Sequence, residues 1–64
     1  MSDYIIEGRD LTETEWMYEG WCGSNLSQMV HNAGVKQLHH RDRLFRVAEV
    51  TWNDDGSYDV AGAV

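Results

Sequence analysis

Apolar and polar positions alternate most clearly in the last third of the chain. If Asp54-Asp55-Gly56 forms a three-residue hairpin loop with Gly56 in the left-handed conformation, Trp52 faces Tyr58, Val50 faces Val60 and Ala48 faces Gly62. Glu49, Thr51, Asp59 and Ala61 then share the opposite sheet face. A one-residue slip would mix the two sets, so the pattern supports a β-hairpin over residues 43–63 in this register.

Upstream the period changes. Leu26, Met29, Val30 and Ala33 fall at the i, i+3, i+4, i+7 spacing of one helix face, preceded by the N-cap candidates Ser24 and Asn25 and followed by Gly34, a suitable C-terminal stop. Thr12 and Glu15 have the spacing of a capping box, with Glu13 and Glu15 in the first turn, which predicts a short helix over about residues 12–19. Tyr4-Ile5-Ile6, closed by Gly8, reads as a short strand. The expected fold class is α+β: a small three-stranded antiparallel sheet packed against one or two short helices, in a single domain over residues 1–64.

Sixty-four residues set a limit on function. A chain of this size buries only ~60% of its unfolded surface, and an enclosed small-molecule site needs on the order of 300–1,000 Å³ of walled space. The working surface is therefore expected on the outside. Apolar content of 42% and charged content of 25% are those of a folded domain despite the net charge of −6. No apolar run approaches the roughly 20 residues of a membrane span, and Met-Ser-Asp-Tyr lacks a charged-then-apolar leader pattern. With the single Cys22, these features place the chain in the reducing cytoplasm as an expectation.

The charge is unevenly placed. Residues 1–20 carry a net −5 and residues 47–64 a net −4, while Lys36, Arg41, Arg43 and Arg46 against Asp42 make a central island of +3. Such a chain repels nucleic acid and attracts cationic surfaces, and the island reads as an internal counter-charge to the acidic ends.

Candidate chemistry is sparse. Cys22, His31, His39 and His40 lack the paired spacing of a zinc site, and adjacent histidines point apart. They read instead as a buried or partly buried thiol and three surface or capping histidines. A Cys22–His nucleophile pair would lack an orienting third group, and no phosphate loop or catalytic serine motif is present. No catalytic, metal or cofactor residue is nominated, and the chain is expected not to be an enzyme. The aromatic residues are more informative: Trp52 and Tyr58 are expected inside, and one of Trp16, Tyr18 or Trp21 at an interface.

Duplex DNA of the domain's ~25–30 Å span carries about 15–18 phosphates, roughly half of which face a bound protein. The chain's 11 carboxylates are comparable in number. With its acidic segments Asp3 to Glu19 and Glu49 to Asp59 in a proline-free domain, the chain resembles the small acidic phage proteins that disable host defence, including the DNA-mimic anti-CRISPR proteins. The island Lys36 to Arg46 departs from a fully acidic mimic. The resemblance implies an inhibitor that acts sterically or by competition on a basic nucleic-acid-binding protein or complex, such as a CRISPR effector, without a cofactor. The partner-binding candidates are Asp10, Glu13, Glu15, Glu19, Glu49, Asp54, Asp55, Asp59, Trp16 and Tyr18. The alternative is a structural or adaptor module that self-associates, as a homodimer, by pairing its C-terminal strand, which is uncharged after Asp59.

Overall fold

The computed structural model describes residues 2–64. The elements run β1 (Asp3–Asp10), β2 (Met17–Gly23), α1 (Leu26–His39), β3 (Arg43–Trp52) and β4 (Tyr58–Ala63). The strands form one antiparallel sheet in the order β2-β1-β3-β4, with α1 on one face. The fold is α+β as expected, with four strands in place of three.

The extra strand replaces the expected first helix. Asp10 to Glu13 close a turn in which the Glu13 N–H donates to the Asp10 carbonyl at 3.0 Å. Glu13 Oε1 accepts from the Asp10 N–H at 3.4 Å, and Arg9 donates to the Glu13 carbonyl, so Glu13 serves this turn and not a helix start. A helix of about eight residues is marginal on its own, whereas a strand here satisfies the outer backbone edge of β1. β2 bends at an irregularity opposite Ile5 to Glu7, where Gly20 adopts a φ of 86° that side chains disfavour.

The helix starts where expected: Asn25 Oδ1 accepts the Gln28 N–H at 3.1 Å. It does not stop at Gly34 but continues to His39, capped by the His40 N–H on the Lys36 carbonyl at 2.9 Å. The reason is tertiary. The Gln37 side-chain amide donates to the Arg43 carbonyl and accepts from the Phe45 N–H, so it acts as a short strand along the part of β3 that β4 does not pair. The expected apolar face is also rotated. Met29 is buried and Ala33 partly so, but Leu26 and Val30 face outward.

The hairpin pairs Trp52 with Tyr58 and Val50 with Val60, as its pattern predicts. A bulge beside Glu49 then shifts the register, so that Ala48 faces Ala63 and not Gly62. The loop is Asp54-Asp55-Gly56, closed by the Asn53 N–H on the Ser57 carbonyl at 2.8 Å, with Gly56 at φ 87°.

β1 and β3 are extended past their apolar centres, and both carry consecutive buried residues. Ile6 and Val47 point to the helix side and join Met29, with Tyr4, Ala33 and Phe45 around them. Ile5, Ala48 and Val50 form a second core on the helix-free side, packed by Tyr58. The first strand thus runs through Gly8 to Asp10 instead of ending at Gly8. Gly8 is needed for space: a Cβ there would collide with the Glu19 carboxylate and the Phe45 ring.

Candidate partner-binding surfaces

The helix-free sheet face is built around Glu7. This carboxylate is 3% exposed, and burying a charge is costly unless it is paired. Its partners come from two strands. Arg46 on β3 donates to Glu7 Oε1 through Nε at 2.9 Å and Nη2 at 2.8 Å, and the Tyr58 hydroxyl on β4 donates to Oε2 at 2.9 Å. Desolvation, then the hydrogen bond and charge of Glu7, push the Tyr58 phenol up to about 12.

Aromatic side chains roof this face. The Arg46 guanidinium lies 4.5 Å from the Trp16 ring centre and Arg9 lies 5.1 Å from it, so the 11–16 loop is pinned back on the sheet. Trp52 meets Tyr58 edge to face at 5.7 Å. Trp52, expected inside, is 39% exposed because it is the last residue of β3, past Val50, where the pairing with β1 ends. Tyr18 and Trp21 are also exposed at the surface, and Trp16 is partly buried.

A second ion cluster lies on the helix side. Arg43 donates to Asp10 Oδ1 at 3.1 Å and pairs with Glu19, whose carboxylate sits over Gly8. Lys36 Nζ lies 5.8 Å from the Trp21 ring centre and 5.7 Å from that of Phe45. Three of the four basic residues in the central island are therefore engaged inside the fold, and Arg41 is exposed. Among the ten sequence candidates, Asp10 and Glu19 are held by Arg43, and Trp16 by Arg9 and Arg46.

The remaining acidic candidates do not form one row. Glu13 and Glu15 lie in the loop after β1, beside the start of β3, whereas Asp54 and Asp55 lie in the loop at its other end. The ten residues of β3 separate these two poles by roughly 30 Å of extended chain. Glu49 and Asp59 share the helix side of the sheet near the second pole, where α1 does not reach β4. At that pole the Ser57 hydroxyl, at 2.6 Å, and the Ser57 N–H, at 3.0 Å, donate to Asp55 Oδ1 and hold its carboxyl below the usual aspartate range.

No family model, curated protein or solved structure matches the chain.

Cys22 is exposed on β2, not buried as expected, because the residue opposite Ile5 lies on an outer strand. His31 and His39 are exposed, and His40 caps α1 with its ring 6.0 Å from that of Phe45. Among the described residues, no three His, Cys, Asp or Glu side chains converge as a metal site would require, and no pocket is present. No helix is long and apolar enough to cross a membrane.

Sequence reasoning did not single out Glu7, Arg46 or Gln37 as organising residues. A signal existed for Glu7: the consecutive Ile5-Ile6 pair implies a strand buried on both faces, which encloses the next residue too. Gln37 carried none, because its role depends on where β4 ends.

Proposed function

We propose that this protein is a non-catalytic binding protein that docks on a basic, nucleic-acid-binding protein or complex in the cytoplasm and blocks it. Its surface carboxylates stand in for a phosphate backbone. A CRISPR effector is one complex of this chemistry, as in anti-CRISPR inhibition of host defence by phage, and the interaction needs no cofactor and no direct contact with nucleic acid.

The observation that carries this reading is the internal use of the basic island. Arg43 and Arg46 face Asp10, Glu19 and Glu7, and Lys36 lies over aromatic rings, so the island opposes the acidic ends from within. Glu13, Glu15, Asp42, Asp54, Asp55 and Asp59 remain exposed. Their two poles, roughly 30 Å apart along β3, compare with the ~34 Å of one duplex turn, after which phosphates recur on the same side. Exposed Tyr18 on the helix-free sheet face adds a side chain suited to a protein interface.

Capture of a partner from host lysate, followed by titration against salt, tests the reading. Charge mimicry requires affinity to fall steeply between low and moderate ionic strength, and an affinity indifferent to salt rejects it. The second reading, a self-associating module paired through its last strand, draws on β4 lying at the sheet edge with Val60 and Val64 exposed.

A further inference from the structure

We infer that the exposed Trp52 ring and the Asp54-Asp55 loop beside it form a receptor for an arginine side chain of the partner. The inference rests on the proposed docking to a basic protein and names the side chain that this end of the domain engages. The chain's three tryptophans differ in one respect. Trp16 carries the guanidinium groups of Arg46 and Arg9, and Trp21 carries the Lys36 ammonium. Among the described residues no cation lies over Trp52, which is exposed at the end of β3 on the helix-free face.

The chain's own cations are committed elsewhere. Residues 47–64 contain no lysine or arginine. Arg9, Arg43, Arg46 and Lys36 are engaged with Trp16, Phe45, Trp21 and the carboxylates of Glu7, Asp10 and Glu19. Arg41 precedes β3, whose ten residues separate it from Trp52 by roughly 30 Å. Carboxylates, by contrast, are near: Asp54 and Asp55 lie in the loop that joins Trp52 to Tyr58, its direct partner across the hairpin. An apolar partner pressed on Trp52 would desolvate these acids without pairing them, and an acidic one would be repelled. A cation satisfies both the ring and the loop.

Arginine fits better than lysine. Its planar guanidinium lies on an aromatic ring while its N–H fork meets a carboxylate, whereas an ammonium is a strongly hydrated point charge. The chain's own contacts show the difference. The guanidinium carbons of Arg46 and Arg9 lie 4.5 and 5.1 Å from the Trp16 ring centre and that of Arg43 lies 5.2 Å from the Phe45 centre, but Lys36 Nζ stands 5.8 and 5.7 Å from Trp21 and Phe45. The receptor is also held in place beforehand. Trp52 rests edge to face on Tyr58, whose hydroxyl is anchored on Glu7, and Ser57 fixes the Asp55 carboxylate through Oδ1. Little side-chain ordering is then left to oppose binding.

Short capped oligo-arginine and oligo-lysine peptides of equal length, titrated into the full chain at low salt and followed by the tryptophan indole N–H resonances in NMR, test this. Oligo-arginine should move the Trp52 indole more than those of Trp16 and Trp21, and should bind roughly threefold more tightly than oligo-lysine. Trp52→Leu, with its fold checked by circular dichroism, should still bind both peptides and lose the preference. Asp54→Asn with Asp55→Asn should weaken both complexes. Equal affinities in the wild type overturn the inference, and so does a preference that Trp52→Leu retains. Either result leaves charge mimicry standing, because a field of carboxylates draws both cations alike. A native partner complex indifferent to salt, with the arginine preference intact, would reject charge mimicry and keep the receptor. Absence of binding by either peptide overturns the inference without any variant.

Discussion

The Tyr18 and Tyr58 rings, carried by the two outermost strands, meet edge to face with their centroids 6.2 Å apart. In a flat four-stranded sheet the outer strands lie about 14 Å apart, so the two side chains lean inward and meet over the middle of the helix-free face. Side-chain cover of this kind, with Tyr58 packed on them, leaves Ile5 and Ala48 without solvent contact on a face that has no helix above it.

Tyr58→Phe removes one of the donors to the Glu7 carboxylate and should cost about 1.5 kcal/mol at neutral pH, read by urea denaturation. The phenol titrates higher in the fold than its ordinary value near 10. Its contribution is thus complete below about pH 10 and is lost as pH rises through about 12. The wild type should lose stability across that alkaline window, and the phenylalanine variant should lose less.

Arg46→Ala leaves the 3%-exposed Glu7 carboxylate with Tyr58 alone and uncovers Trp16. A cost of about 3 kcal/mol is expected, a large part of the roughly 3–10 kcal/mol available to a domain of this length. Thermal melting should show a fall of many degrees. Glu7→Gln combined with Arg46→Met should recover part of the loss, because no unpaired charge then remains inside.

Arg43→Gln frees the Asp10 and Glu19 carboxylates at the first pole. It should lower stability only slightly, since the cluster is partly exposed, and should tighten binding to a basic partner. Titration calorimetry of that complex decides the matter, and weaker binding would argue that the acidic field is not what the partner reads.

Asp54→Asn with Asp55→Asn, and Glu13→Gln with Glu15→Gln, neutralise one pole each. If both poles engage, each pair weakens the partner complex, and the combined variant loses the sum of the two in free energy. A loss confined to one pair would place the contact at that end of β3.

Gly56→Ala strains the loop at φ 87° and should cost about 1–2 kcal/mol. The same loop has an acid response. The Asp55 carboxyl is held below its ordinary value by Ser57, so its stabilisation is present above about pH 4 and falls as pH drops through the lowered value. Ser57→Ala should raise the pH midpoint at which the Asp55 carboxyl titrates, followed by NMR.

The hairpin was legible because Trp52, Val50, Tyr58 and Val60 repeat with period two around a loop whose glycine must take positive φ. The start of α1 was legible for a local reason as well, the Asn25 side chain reaching the Gln28 N–H. Both errors in extent came from non-local bonds. Glu13 offers the same carboxylate to a turn as to a helix start, and the unpaired outer edge of β1 favours the strand that follows. Gly34 looks like a stop until Gln37 finds β3. Among the candidate surfaces, the residue types were visible but not their pairing. A separation of three in one strand puts Arg43 and Arg46 on opposite sides of the sheet, but nothing in the spacing says which carboxylates each serves.

Ile5 beside Ile6, and Val47 beside Ala48, give each central strand two cores one residue apart. Neither face can open while the other stays packed, because a shift of β1 against β3 would withdraw side chains from both at once. The two central strands should therefore open only together. Amide exchange in these two strands should proceed only through complete unfolding, at one common rate, with the loop around Gly56 and the outer strands opening first.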